Sequence, residues 1–81
     1  MDALECRAVL DRVKKQLSQI SYNSDLHKIY KNLEEMVSNI SKIEVDCRRT
    51  KQYSKLEEPL SKFKDSVVRL EKLILIAKLI D

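Results

Sequence analysis

Apolar residues recur along the first part of the chain in alternating steps of three and four. These positions are Ala3, Cys6, Leu10, Val13, Leu17 and Ile20. This spacing places the side chains on one stripe of an α-helix and is the a/d pattern of a coiled coil. It predicts a first helix over about residues 2–21, with the stripe packed against another helix.

A run of polar residues at 21–25 interrupts the pattern before it resumes. Such residues hydrogen-bond to their own backbone and favour turns. Asn23 tolerates the left-handed conformation best, so we expect it to follow the first helix as its C-terminal cap. A second helix is predicted over about 25–50. Its apolar stripe is widened by Tyr30 and Val37 towards that of a core-facing helix. The stripe itself is Leu26, Ile29, Leu33, Met36, Ile40, Ile43 and Cys47.

A third stripe predicts a last helix over about residues 58–80. It consists of Leu60, Phe63, Val67, Leu70, Ile74 and Ala77. Its register does not continue that of the second stripe, and the break falls near Pro59, which cannot donate a helical hydrogen bond. We predict a connector over 51–58 with Pro59 in the first turn of the last helix. A single long helix kinked at Pro59 is the alternative.

The composition narrows the fold class further. The chain has no glycine and one proline, so folds and phosphate-binding loops that depend on glycine are excluded. Apolar residues make up 43% and charged residues 36%, which is typical of long amphipathic helices. We predict one all-α domain over residues 1–81, either an antiparallel helical hairpin or a three-helix coiled-coil bundle.

Residues able to carry chemistry are few. Cys6 and Cys47 lie on the apolar stripes, and we expect both to be buried and unbridged. A chain folded back about residue 23 places Cys6 opposite residue 40, roughly 10 Å along the axis from Cys47, too far for a disulfide. His27 is expected to be packed or partly exposed. With the two cysteines it falls short of four zinc ligands. We therefore expect no enzymatic activity, cofactor or metal.

A basic cluster surrounds the predicted connector. It consists of Arg48, Arg49, Lys51 and Lys55. Such cations can contact phosphates, but they also stabilise a helix C-terminus, where the helix dipole is negative. The net charge of +3 is too small to indicate nucleic acid. The sequence leaves the role of this cluster open, and we do not expect nucleic acid as the partner.

The predicted location is cytoplasmic. Residues 1–5 carry acidic side chains and no long apolar run, so no secretory signal is expected. No apolar stretch reaches the roughly 18 residues that a membrane-spanning helix needs. We expect no membrane contact.

The last helix is more apolar than one core-facing stripe requires. Besides the stripe, Val68, Leu75, Ile76 and Leu79 fall on the opposite side of the helix. A helix that is apolar on two sides needs cover on both, so we expect a helical protein partner, and self-association when the chain is alone. The candidate contacts are Val68, Leu70, Leu73, Ile74, Leu75, Ile76, Leu79 and Ile80.

Short motifs resemble the needle-subunit co-chaperones of bacterial type III secretion systems, the YscE/PscE-like family. The opening Met-x-x-Leu-Glu-x-Arg over residues 1–7 is similar to the start of those proteins. The Cys-Arg-Arg at 47–49 resembles their basic helix end. The Leu-Glu pair at 70–71, followed by apolar residues, resembles the end of their last helix. Members are usually shorter and carry a glycine in the loop, which this chain lacks.

The resemblance implies a function without catalysis. Such a co-chaperone pairs with a larger helical-repeat chaperone, and together they keep the needle subunit unpolymerised in the cytosol. The apolar end of the last helix would contact the chaperone. The alternative is a structural coiled-coil subunit of a larger assembly, or a self-associating coiled coil.

Overall fold

The structure, a computed structural model, describes residues 1–80 and contains three α-helices. They are α1 (Ala3–Leu17), α2 (Ser24–Thr50) and α3 (Glu57–Ile80), with a short 3₁₀ turn at Tyr53–Leu56 before α3. No strand occurs in this part of the chain, so the prediction of an all-α fold is confirmed. The helices form an elongated bundle of 48 × 17 × 16 Å.

Polar contacts between helices fix their directions. The Ala3 amide donates to Glu44 Oε2 at 3.0 Å, so the start of α1 lies beside the end of α2 and the two are antiparallel. Arg12 donates to Glu71, and Lys78 donates to Gln19. Both pairs are 59 residues apart, so α3 runs parallel to α1. α2 packs against both neighbours, whereas α1 and α3 touch less extensively.

The core follows the predicted apolar stripes. Its buried residues are Ala3, Cys6, Leu10, Val13, Leu17, Leu26, Leu33, Val37, Ile40, Phe63, Val67, Leu70 and Ile74. On α2, Val37 is buried, whereas Ile29 and Met36 of the predicted stripe are only partly covered. The reason is that α2 packs against two helices, which requires a wider apolar stripe than a coiled coil with one partner.

The first helix ends earlier than the spacing predicts. α1 stops at Leu17, and the Ser18 hydroxyl donates to the Lys15 carbonyl at 2.6 Å. The next two amides bond in the tighter i to i−3 pattern, from Gln19 to Gln16 and from Ile20 to Leu17. Ile20 still packs against the core. A residue in a turn can thus lie on the same apolar stripe as the helix before it. For this reason the spacing predicted a helix that is too long.

The prediction that Asn23 caps the end of the first helix is wrong. Asn23 has extended backbone angles, φ −135° and ψ 112°, and forms the N-cap of α2. Its side-chain oxygen accepts hydrogen bonds from the amides of Asp25 and Leu26, at 3.0 and 3.2 Å. Asparagine can cap either the start or the end of a helix. Here it caps the start of α2, whose first amides have no partner within the helix.

The segment between α2 and α3 is a connector, not a kink in one long helix. Lys51 ends α2 in the left-handed conformation, with φ 59° and ψ 30°, a position that glycine usually occupies. The 3₁₀ turn follows after Gln52, and α3 begins at Glu57. Pro59 therefore lies in the first turn of α3, as predicted, where its missing amide hydrogen leaves no helical bond unmade.

Candidate protein-binding face of the last helix

One side of α3 carries large apolar side chains that the bundle does not cover. These are Val68, Leu75, Ile76, Leu79 and Ile80, with exposed fractions between 51% and 80%. We call these five residues the α3 face. At about 100° per residue, four of them lie away from Leu70 and Ile74, which point into the core, and Ile80 lies at the edge of the face. The face is about 18 Å long.

Three of the predicted partner contacts do not belong to the α3 face. Leu70 and Ile74 are 0% and 2% exposed and form part of the core. Leu73 is partly buried against the same core. Leu70 and Ile74 are therefore not available to a partner, whereas Leu73 keeps part of its surface exposed. The apolar residues near the end of the sequence therefore belong to two different sides of α3, one buried in the core and one exposed.

The border of the α3 face towards α1 is polar and fixed. Glu71 accepts from Arg12 and from Gln16, both at 3.0 Å. Further along, Lys78 donates to Gln19 at 2.8 Å. The Oε1 atom of Gln16 is buried at this border, with no hydrogen-bond partner in residues 1–80. Two of these polar contacts join α1 to α3, the third joins α3 to the turn after α1, and together they orient the apolar face relative to the rest of the bundle.

The other exposed apolar residues do not share one helix face. Leu4, Tyr22, Val45 and Tyr53 come from α1, α2 and the segments beside the helices, and Met1 lines a groove together with Val68. Isolated apolar side chains are common on protein surfaces, whereas several on one helix face indicate an interaction site. The α3 face is thus the best candidate for binding.

Two neighbouring carboxylates pair with three of the four cations of the basic cluster. Arg48 pairs with Glu44 at 2.9 Å, and Arg49 pairs with Asp46 at 2.8 Å. Lys55 lies 3.8 Å from the other oxygen of Asp46. The hydrogen bond from Arg49, assisted by the charge of Lys55, lowers the pKa of Asp46. Cations arranged in this way stabilise the C-terminal end of α2, where the helix dipole is negative.

The two cysteines are buried and unbridged, as the sequence predicts. Because Ala3 bonds to Glu44, Cys6 lies opposite a residue near 41, several residues short of Cys47. Burial raises the pKa of the Cys6 thiol, so little reactive thiolate forms at neutral pH. Both cysteines act as small apolar residues of the interior.

His27 is partly exposed, in agreement with the sequence prediction. Its ring stacks on that of Tyr22, with the centroids 4.7 Å apart and the planes at 29°. This contact covers the start of α2 beside the turn that joins it to α1. The described part of the chain contains no group of three or more His, Cys, Asp or Glu side chains placed to hold a metal ion. It also buries no polar or charged residue.

Sequence reasoning found the α3 face but not its polar border. The face shows in the sequence because its residues share one helix and follow helical spacing. Arg12 and Gln16 meet Glu71 only through the packing of α1 on α3, across more than 50 residues of sequence. No local pattern signals a contact of that kind.

Comparisons with known proteins add no relative. No family model, curated protein or solved structure matches this chain. Within residues 1–80, no helix contains an apolar stretch long enough to cross a membrane.

Proposed function

We propose that this chain is a non-enzymatic binding protein that docks the α3 face on a helix of another protein. The observation that carries the proposal is the exposure of five large apolar side chains on the side of α3 opposite the core. A surface of this kind is costly to leave in water. Completing the burial of these side chains contributes roughly 1 kcal/mol each.

A helix is the partner element that suits this surface best. Val68, Leu75 and Leu79 lie within about 40° of one another around the axis, so they form a narrow straight seam. Side chains spaced in this way insert between the residues of a facing helix. Ile76 and Ile80 broaden the seam on one side and would cover the edge of the contact.

The more specific role that we propose is that of a cytosolic co-chaperone for a type III secretion needle subunit. It is supported by the short motifs described above and by an all-helical fold with one unpartnered face. Helical-repeat proteins offer extended concave surfaces that accommodate such a face. In this role the chain stabilises a larger helical-repeat chaperone, which in turn sequesters the needle subunit's amphipathic helix.

Affinity capture followed by reconstitution tests this proposal. The tagged chain is incubated with cytosol from its own source, and captured proteins are purified and recombined with it. We expect a stoichiometric complex with a helix-rich partner, and we expect that complex to keep a needle subunit monomeric in sedimentation. A partner that does not protect the α3 face from hydrogen exchange would contradict the proposed binding surface. A partner that binds there but has no effect on a needle subunit would contradict only the co-chaperone role.

A self-associating coiled coil is the second candidate, and the heptad spacing of Val68, Leu75 and Leu79 favours it. We expect the isolated chain to form weak dimers at hundreds of micromolar, because each copy offers the same uncovered face. Analytical ultracentrifugation over a concentration series measures this. The matched control is Leu75→Asp with Leu79→Asp, which should remain monomeric. A wild-type chain that is strictly monomeric throughout would eliminate this candidate.

A further inference from the structure

Charged residues within and beside the α3 face indicate the chemistry of its occupant. Resting on the proposed helix-binding function, we propose that the occupant is an amphipathic helix of another protein with carboxylates opposite Lys72 and Arg69. A second copy of this chain is the poorer fit.

Lys72 lies in the middle of the apolar seam. The positions Asp65, Val68, Lys72, Leu75 and Leu79 continue in steps of three and four along one side of α3. Lys72 is exposed between the two apolar parts of the face. A helix that covers both Val68 and Leu75 must therefore pass over the Lys72 ammonium. That ammonium loses water on binding and needs a carboxylate in return.

The remaining free charge around the face is positive. Lys64, Arg69 and Lys72 are exposed and form no ion pair with any residue in the range 1–80. Glu71, the nearest acidic residue on the α1 side, is already engaged by Arg12 and Gln16. Among residues 1–80, Asp65 is the one free carboxylate on this side of α3 that offsets the three cations. A partner with acidic residues flanking an apolar stripe therefore complements this surface, and a basic one is repelled.

A dimer formed through this seam would bring two Lys72 ammonium groups into the interface, one from each copy. In a parallel pair, each residue of the seam faces its own equivalent, so Lys72 faces Lys72. In the antiparallel register that pairs Val68 with Leu75, the symmetry axis passes beside Lys72 and again brings the two ammonium groups close together. The register that pairs Val68 with Leu79 covers the whole seam but sets each Lys72 against Leu75 of the other copy, so both ammonium groups lie at the interface with no seam carboxylate of residues 1–80 opposite them. A single polar residue in such a seam selects between partners in coiled coils.

Two synthetic peptides test the proposal. Both are single helices with the same leucine stripe. One carries glutamate at every flanking position and the other lysine, so neither pairs with itself. Binding to the full chain is measured by calorimetry at low salt. We expect the glutamate peptide to bind at least about tenfold more tightly, since each exposed ion pair contributes up to roughly fivefold.

Charge reversal on the chain provides the decisive comparison. Lys72→Glu with Arg69→Glu should reverse the preference between the two peptides, while the melting curve stays unchanged because both side chains are exposed. Lys28→Glu with Lys31→Glu is the control. It makes the same change in net charge at exposed positions of α2 and should leave the preference as it is.

Each remaining outcome contradicts the proposal in a distinct way. Equal affinity for both peptides would overturn the acidic partner and leave helix binding intact. A reversal by the α2 control as large as that by the α3 variant would assign the preference to net charge instead of the face. If neither peptide binds, the acidic partner is rejected, and the capture experiment alone decides the proposed function.

Discussion

Replacing Leu75 and Leu79 together with aspartate is expected to abolish partner binding while the free chain stays helical. Both side chains are mostly exposed, at 60% and 80%, so the two charges remain hydrated in the isolated bundle. In a complex the same charges are buried without partners. Together they cost several kcal/mol, which weakens binding by on the order of a thousandfold. Circular dichroism and calorimetry with the captured partner measure the two effects.

Two controls separate loss of the surface from loss of the fold. Leu4→Asp with Val45→Asp makes the same chemical change at two exposed apolar positions outside the α3 face, and binding should persist. Ile74→Asp places a charge in the core and should unfold the chain, so that binding is lost for that reason. Should the double variant melt as Ile74→Asp does, the face belongs to the core. Should it still bind normally, the partner lies elsewhere.

Phe63→Ala is expected to be the most destabilising single truncation in the bundle. Phe63 is the largest fully buried side chain, with 0% exposure on the inner side of α3. Its removal leaves a cavity, which costs about 3–5 kcal/mol. A domain of this length has a free energy of unfolding of only about 4–12 kcal/mol. Urea denaturation followed by circular dichroism should therefore show a large fall in midpoint, with a substantial unfolded fraction in water if the native stability is low.

Val68→Ala is the matched control for Phe63→Ala. Val68 lies on the same helix but is about half exposed and faces away from the core. Its truncation should change the free energy of unfolding by less than about 0.5 kcal/mol. If Phe63→Ala costs no more than Val68→Ala does, the interior of the bundle is not packed around Phe63.

Much of this fold follows from the spacing of apolar residues. The stripes through Leu10 and Val13 on α1 and through Phe63 and Leu70 on α3 form the core, because each helix buries its apolar stripe against its neighbours. The break near Pro59 located the connector, because two stripes out of register cannot lie on one straight helix.

Periodicity was least informative at helix ends and between helices. Ile20 fits the first stripe, so the pattern does not reveal that the helix has already ended at Leu17. Asn23 has the chemistry of either cap, and the choice depends on which backbone groups lack partners. Leu70 and Ile74 were predicted as partner contacts because they stand in the same apolar run as the exposed residues. The structure buries both in the core.

The position of α2 between its two neighbours has a consequence for how the chain folds. α1 and α2 form one helical hairpin, α2 and α3 form another, and each joins elements adjacent in sequence. Most contacts therefore close short loops, the condition under which helical proteins fold in microseconds to milliseconds. The few links between α1 and α3, such as Arg12 to Glu71, join residues 59 positions apart in the sequence. Because these links close the longest loops, we expect the docking of α1 along α3 to form late in folding.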